Sequence, residues 1–294
     1  MRLRSVELEL PQSDAAAGFL SGAWGLLDAG KRGKTTFLRG TGDHGYIISV
    51  TEAAVFGIAS VTFSGSGEEV AGVAQRAKAA KVPHQPIQSF DEPGNGHGFV
   101  LEGLEGQIYR FIAETQPVAK LPDDLKRPIQ LTHTVLNSTD REACVRFAEQ
   151  VFGFRISDRT QAMSFLRCNR QHHAVAYVKS DICSLNHIAF EMPNLEAVML
   201  GIGRMRDNGV PLVWGPGRHG PGNNVFGYFV APFGGIIEYT SEVNLVDDDY
   251  PVGKPEDWTW PPGRSDQWGH SLKDMARAET AERQYRFRPA VIPA

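Results

Sequence analysis

Three residues in the second half of the chain carry side chains suited to holding a divalent metal ion. His133 lies in QLTHTVL, His187 in LNHIAFEM and Glu238 in GIIEYTSE, spaced 54 and 51 residues apart. Two neutral imidazoles and one carboxylate suit a first-row divalent metal, and three ligands on one face leave coordination positions open. That is the pattern expected of a non-heme iron(II) centre. Zinc would accept the same atoms, so ligand type alone does not fix the metal. Spacing this wide forms no local motif, so the three become a site only if the fold gathers their strands.

Each of the three segments alternates like a short β-strand, which commits its side chains to defined faces. A faint internal repeat indicates how such strands are arranged. SVELELPQSD at 5–14 matches QLTHTVLNSTD at 130–140, and each is followed by a helix-like stretch, DAAAGFLSGAWGL and DREACVRFAEQVFGF. In the second stretch Asp140 is a plausible N-cap, and Ala143, Phe147 and Val151 recur at helical spacing. Each half carries a further strand and helix, and each ends on a similar strand, GQIYRFIAE and GGIIEYTSE. The expected fold class is α+β, with two duplicated domains: an N-terminal one over 1–118 and a C-terminal one over 129–245. TQPVAKLPDDLKRP, residues 115–128, reads as the linker, and the tail of 246–294 is expected to be irregular and packed over the second domain. Aligned by hand, Glu7 falls opposite His133, Ser60 opposite His187 and Arg110 opposite Glu238. The ligand set therefore occurs in one half only, which favours chemistry over a shared folding role.

With those elements in place the local sequences become specific. LTHTVLNSTD, CNRQHHAVAY, LNHIAFEM, GRHGPGNNVFGYF and GGIIEYTSE, in this order, resemble the type I extradiol dioxygenases of the vicinal oxygen chelate superfamily. WGH at 268–270 echoes that family's tail. The resemblance implies tandem βαβββ modules, each domain a curved half-open barrel. It also implies extradiol cleavage of a catechol-type diol by dioxygen, with His133, His187 and Glu238 binding iron(II), and manganese(II) the other ion admitted.

The catalytic residues it implies are His173, His219 and Tyr228. A histidine suits the proton transfers, because its pKa lies near working pH. The local motif assigns that role to His173, whereas counting back from His187 would give His172. His219 and Tyr228 are nine residues apart, and Tyr228 precedes Glu238 by ten. An imidazole and a phenol there could hydrogen-bond substrate oxygens. Val135, Phe165 and Ala176 match apolar pocket positions, while Asn223 and Arg218 are the polar candidates for substrate contact. The chain departs from many relatives at Pro221, where an acidic or amide residue is usual, which puts the detailed hydrogen bonding in question.

Composition bounds the alternatives. Of 294 residues, 41% are hydrophobic and 22% charged, ordinary for a chain with a buried core. A net charge of −4 without a basic block argues against nucleic acid, and no apolar run reaches membrane-helix length. The N-terminus lacks a secretory core, and three cysteines without paired spacing fit unpaired thiols in a reducing cytoplasm. A catechol and dioxygen are the expected small-molecule partners, in a homo-oligomer. The rival readings are a metal-dependent isomerase or lyase of the same superfamily and a non-catalytic binding protein of that fold.

Overall fold

The computed structural model describes residues 1–114 and 116–287. Four consecutive βαβββ modules span Arg2 to Ser241, and a tail follows. The first is β1 (Arg2–Leu10), α1 (Ser13–Ser21), β2 (Leu27–Arg32), β3 (Thr35–Arg39) and β4 (Ile48–Glu52). The second is β5 (Gly57–Ser64), α2 (Gly67–Ala79), β6 (Gln88–Phe90), β7 (Gly96–Glu102) and β8 (Ile108–Ala113). The third is β9 (Leu131–Ser138), α3 (Arg141–Phe147), β10 (Arg155–Arg159), β11 (Met163–Arg167) and β12 (Val175–Lys179). The fourth is β13 (Ser184–Glu191), α4 (Leu195–Asp207), β14 (Leu212–Arg218), β15 (Val225–Val230) and β16 (Ile236–Ser241). Each pair of modules forms one curled eight-stranded sheet. The orders, β2-β3-β4-β1-β5-β8-β7-β6 and β10-β11-β12-β9-β13-β16-β15-β14, are identical strand for strand. This is the duplicated α+β architecture that the sequence predicts.

Local chemistry sets the helix starts. Ser66 and Glu69 form a capping box on α2, Asn194 accepts from Ala197 N at 2.9 Å, and Asp140 accepts from Ala143 N at 3.0 Å. The third helix relaxes into a π turn over 148–152, so Phe147 and Val151 are buried while Ala143 is only half-buried.

Strand alternation then divides the C-terminal sheet between two tasks. Val175, Tyr177, Ile188, Phe190, Ile237 and Tyr239 pack into a continuous core shared with the first domain. Trp24 stacks on Tyr239 at 3.6 Å, and Tyr239 Oη donates to the Trp24 carbonyl at 2.6 Å. His133, Ala176, Tyr228 and Glu238 occupy the opposite face. Among the described residues no helix is long and apolar enough to cross a membrane.

The register corrects the sequence alignment of the two halves at one position. Glu238 pairs with Ala189, and Ala189 with His133; correspondingly Arg110 pairs with Thr62, and Thr62 with Ser5. Ser5, not Glu7, therefore lies opposite His133, and Glu7 corresponds to Val135. The slip comes from matching Asp14 to the cap Asp140, whereas α1 is capped two residues earlier, at Gln12; a shift of two residues keeps Glu7 on the same face. Ser60 still corresponds to His187 and Arg110 to Glu238, and Tyr46 takes the place of His173.

These substitutes form a buried charged network. Glu7 accepts from Ser60 Oγ at 2.7 Å, Thr62 Oγ1 at 2.8 Å and Tyr46 Oη at 3.1 Å. Arg110 donates to Tyr46 Oη at 3.1 Å and Glu92 at 2.7 Å, and lies 3.7 Å from Glu7.

The tail also departs from expectation. Much of 246–274 is irregular, but a helix, α5 (Met275–Glu282), follows. Ala278 and Ala281 are buried where it docks on the second sheet. Its residues are good helix formers, but eight are too few for a stable isolated helix, and docking supplies the apolar partner.

Arg110→Met should lower stability by roughly 3–5 kcal/mol, because it strands carboxylates in the interior. Adding Glu7→Gln to that variant should recover part of the loss. Chemical denaturation midpoints of the two variants and the parent check both statements.

Candidate metal centre

The three predicted ligands meet, although they come from three different strands. His133 Nε2 and His187 Nε2 lie 3.2 and 3.3 Å from Glu238 Oε2, and 3.4 Å from each other. A single ion about 2.0–2.2 Å from each atom would hold its ligand atoms about 3.0–3.5 Å apart. All three side chains are buried, Glu238 completely.

Their hydrogen bonds show why a cation fits. His133 Nδ1 bonds Thr132 Oγ1 at 2.9 Å, and Thr132 has the Ala189 carbonyl as its own acceptor at 3.5 Å. His187 Nδ1 bonds Asn186 Oδ1 at 2.7 Å. Both imidazoles therefore carry their proton on Nδ1, and each Nε2 presents a lone pair. Glu238 Oε2 has no hydrogen-bond donor. Burial pushes the His187 pKa down, which favours the neutral ring. Three lone pairs thus converge where water has little access, and a divalent ion is the group that satisfies all three.

His173 flanks this cluster, its ring 4.1 Å from that of His133. Burial, then the neighbouring histidines, push its pKa well below the ordinary value. His172 lies behind it: its Nδ1 is 3.0 Å from His173 Nδ1, and its Nε2 is 2.8 Å from Asp158 Oδ2. Asp158 Oδ1 accepts from Gly253 N at 2.9 Å. The carboxylate can only accept, so His172 donates from Nε2 and offers Nδ1 to the Nδ1–H of His173. His173 is left with its Nε2 lone pair free. Gly222, at φ +75°, packs against both rings; a Cβ there would sit 3.1 Å from His172 and 3.2 Å from His173. The glycine-rich turn is required by this close approach.

On the other side, His219 Nε2 and Tyr228 Oη are 2.9 Å apart. The Tyr228 ring meets that of His187 edge-on at 5.0 Å. Burial lowers the His219 pKa to about 4 and, with the Glu238 charge, raises that of Tyr228. These groups line a cavity of about 560 Å³. Val135 and Phe165 lie on its wall, and Ala176 packs with them.

Two expected contacts take other positions. Arg218 donates to the Asn223 carbonyl at 2.7 Å and to Glu242 at 2.6 Å, and lies over Trp268. Asn223 adopts a left-handed turn conformation, with its side-chain oxygen accepting from Gln267 at 2.8 Å. Neither lines the cavity. The asparagine beside the ligands is Asn224, whose Nδ2 is 2.7 Å from Thr240 Oγ1 and 3.5 Å from Glu238 Oε1. Sequence reasoning also missed Asp158, Asn186, Trp214 and the tail residues Trp258, Trp260 and Lys273. Asn186 and Trp214 had a usable signal, since each sits in a strand beside a named site segment. Lys273 is the one Lys or Arg on the cavity wall among the described residues, and it pairs with Glu282 at 3.1 Å. The tail's WGH segment is exposed and forms no part of the wall.

Comparison with known proteins follows the same geometry. Residues 130–239 match the family model of the Glyoxalase/Bleomycin resistance protein/Dioxygenase superfamily. The chain is similar to metapyrocatechase 2 of Cupriavidus necator, 30% identical over 166 residues, covering 55% of this chain and 48% of that protein. It therefore spans about half the length of that relative. Biphenyl-2,3-diol 1,2-dioxygenase of Metapseudomonas furukawaii is 25% identical, covering 92% of this chain and 95% of that protein. Among solved structures, the Mn(II)-bound glyoxalase from Novosphingobium aromaticivorans is 29% identical with a TM-score of 0.86, covering 100% of this chain and 96% of that one.

Titrating metal-free protein with manganese(II) should raise its melting temperature, by the equivalent of about 2.7 kcal/mol at a hundredfold excess over Kd. Glu238→Ala should abolish the rise. An undiminished rise in that variant would place the ion elsewhere.

Proposed function

We propose that this chain, whose second domain belongs to the glyoxalase and dioxygenase superfamily, is an extradiol dioxygenase that opens a catechol-type ring beside the diol. The observation that carries this reading is the convergence of His173, His219 and Tyr228 on the His133–His187–Glu238 centre within one largely apolar cavity. Iron(II) is the metal we assign; when bound it supplies adjacent coordination positions for the two catechol oxygens and dioxygen, and a route for electrons between them.

The protein's own groups then handle protons and water. His173 presents an Nε2 lone pair to the cavity and takes a hydroxyl proton from the catechol. The Asp158–His172 pair fixes that tautomer and opposes the charge His173 acquires. His173 later returns the proton as the ring carbon–carbon bond beside the diol breaks. If His219 donates its Nε2–H to Tyr228, the phenol proton is free to bond a substrate oxygen as negative charge develops there. Val135, Phe165 and Trp214 limit access of water to the reacting atoms. Both oxygen atoms of dioxygen enter the ring-opened product.

The cavity also speaks to the substrate. Its volume lies in the range that holds ligands larger than one ring, and its walls carry Trp214, Trp258 and Trp260. Arg218 is engaged elsewhere, and Lys273 is already paired. A neutral catechol with a bulky apolar substituent fits these walls better than one bearing a carboxylate. The likeness to a dioxygenase named for biphenyl-2,3-diol agrees with that size.

A second reading, a manganese enzyme of the isomerase or lyase kind, is favoured by the likeness to a Mn(II)-bound glyoxalase. The His173, His219 and Tyr228 cluster argues for the dioxygenase.

Protein reconstituted anaerobically with iron(II), or separately with manganese(II), should consume oxygen and form a yellow ring-opened product with one- or two-ring catechols. No oxygen uptake across such a panel with either metal would overturn the reading. His173→Ala should retain its metal while kcat falls by about 10²–10⁴. Loss of metal from that variant would reassign the residue.

A further inference from the structure

The tautomer of His187 is set from outside the sheet, through a chain of groups whose direction is chemically forced. It starts at the Glu282 carbonyl, in the last turn of α5. A carbonyl there has no partner within its own helix and can only accept. Ser184 Oγ donates to it at 2.6 Å, and Asn137 Nδ2 lies 3.3 Å from it and 2.9 Å from Ser184 Oγ. The amide nitrogen of Asn137 must therefore face α5, which turns its oxygen toward Asn186. Asn186 Nδ2 donates to that oxygen at 3.0 Å. Asn186 Oδ1 is then the atom that meets His187 Nδ1, at 2.7 Å, and it can only accept. The proton of His187 is consequently held on Nδ1 and the lone pair on Nε2 faces Glu238. Asn137, Ser184, Asn186 and His187 are all buried, so water competes little for any link.

We propose that Asn186 and Asn137 are positioning residues for the metal centre, transmitting the docking of α5 to the tautomer of His187 and so to metal affinity. The inference rests on His187 being a ligand. Coupling of this kind is reciprocal: metal bound at His187 must strengthen docking of α5 by the same factor that docking strengthens the metal.

The test measures the manganese(II) Kd of the full chain by electron paramagnetic resonance of the free ion, beside the melting temperature of each metal-free variant. Asn186→Leu removes the acceptor from His187 and should weaken manganese about ten- to hundredfold. Asn186→Asp keeps an acceptor there and opposes only Asn137. It should lower the melting temperature but hold Kd within about threefold of the parent, well short of the loss expected for a removed acceptor. Asn137→Leu releases the orientation of Asn186 and should give a loss between the two. Parental affinity in Asn186→Leu, or equal losses in Asn186→Leu and Asn186→Asp, would overturn the proposal, the second by showing a merely structural role. His187→Ala separates the premise: if it binds manganese as tightly as the parent, His187 is no ligand and both readings fall together.

Discussion

Three lone pairs pointing at one buried locus form an arrangement that a protein cannot hold cheaply. Glu238 Oε2, His133 Nε2 and His187 Nε2 sit 3.2–3.4 Å apart with no donor between them. Left without a cation, they repel one another in a region where solvent screens poorly. Much of the second domain follows from maintaining this. Thr132 and Asn186 hold the ring protons on the far side of each imidazole. The register of β9, β13 and β16 brings His133 and Glu238 level, with Ala189 between them. Asp158 applies the same logic one step further out, orienting His172 so that His173 also offers Nε2. One rule recurs: an acceptor behind each histidine decides which nitrogen faces the cavity, whether an atom that can only accept, as Asn186 Oδ1 does, or one whose own proton is directed elsewhere, as the Thr132 hydroxyl's is to the Ala189 carbonyl.

The first domain shows what the scaffold does with the same positions when no metal is intended. Ser5, Ser60, Arg110 and Tyr46 replace His133, His187, Glu238 and His173. Their polar atoms surround the Glu7 carboxylate, and the Arg110 guanidinium stands as the cation. The inner face of a curled sheet is hard to fill with apolar side chains alone once polar groups occupy its central strands. A fixed internal ion pair closes one half and a bound ion would close the other. The difference matters for function, since a guanidinium offers no vacant coordination position and an ion held by three ligands does.

What the sequence made legible depended on distance along the chain. Alternation in QLTHTVL, LNHIAFEM and GIIEYTSE was enough to place the ligands on defined faces, and the repeat supplied the four modules. Short-range spacing served His219 and Tyr228 equally well, because β14 and β15 form one hairpin. The misplacements have local causes. Asp14 looked like the counterpart of the Asp140 cap, but α1 is capped two residues earlier, at Gln12, so Glu7 was matched two positions out. Asn223 adopts the left-handed conformation in the turn, which hands the inward position to Asn224, while Arg218 ends β14 and is held by the Asn223 carbonyl and Glu242. Asn186 adjoins a ligand in the sequence, but the role inferred for it depends on Asn137, 49 residues away.

The tail is the element least visible in the sequence and the one that closes the site. Trp258 and Trp260 lie against Gly220, where a Cβ would sit 2.9 and 3.0 Å from their rings. They line the cavity, as do Lys273, just before α5, and Glu279 and Glu282 within it. Glu282 therefore acts twice: its carboxylate neutralises Lys273 beside the cavity, and its carbonyl anchors the amide chain to His187. A conformational change that lifted the tail to admit substrate would also loosen the hold on a metal ligand. A wall built from a rigid domain would leave those two events independent. Under the coupling proposed for Asn137 and Asn186, docking of α5 links the wall of the cavity to the tautomer of His187.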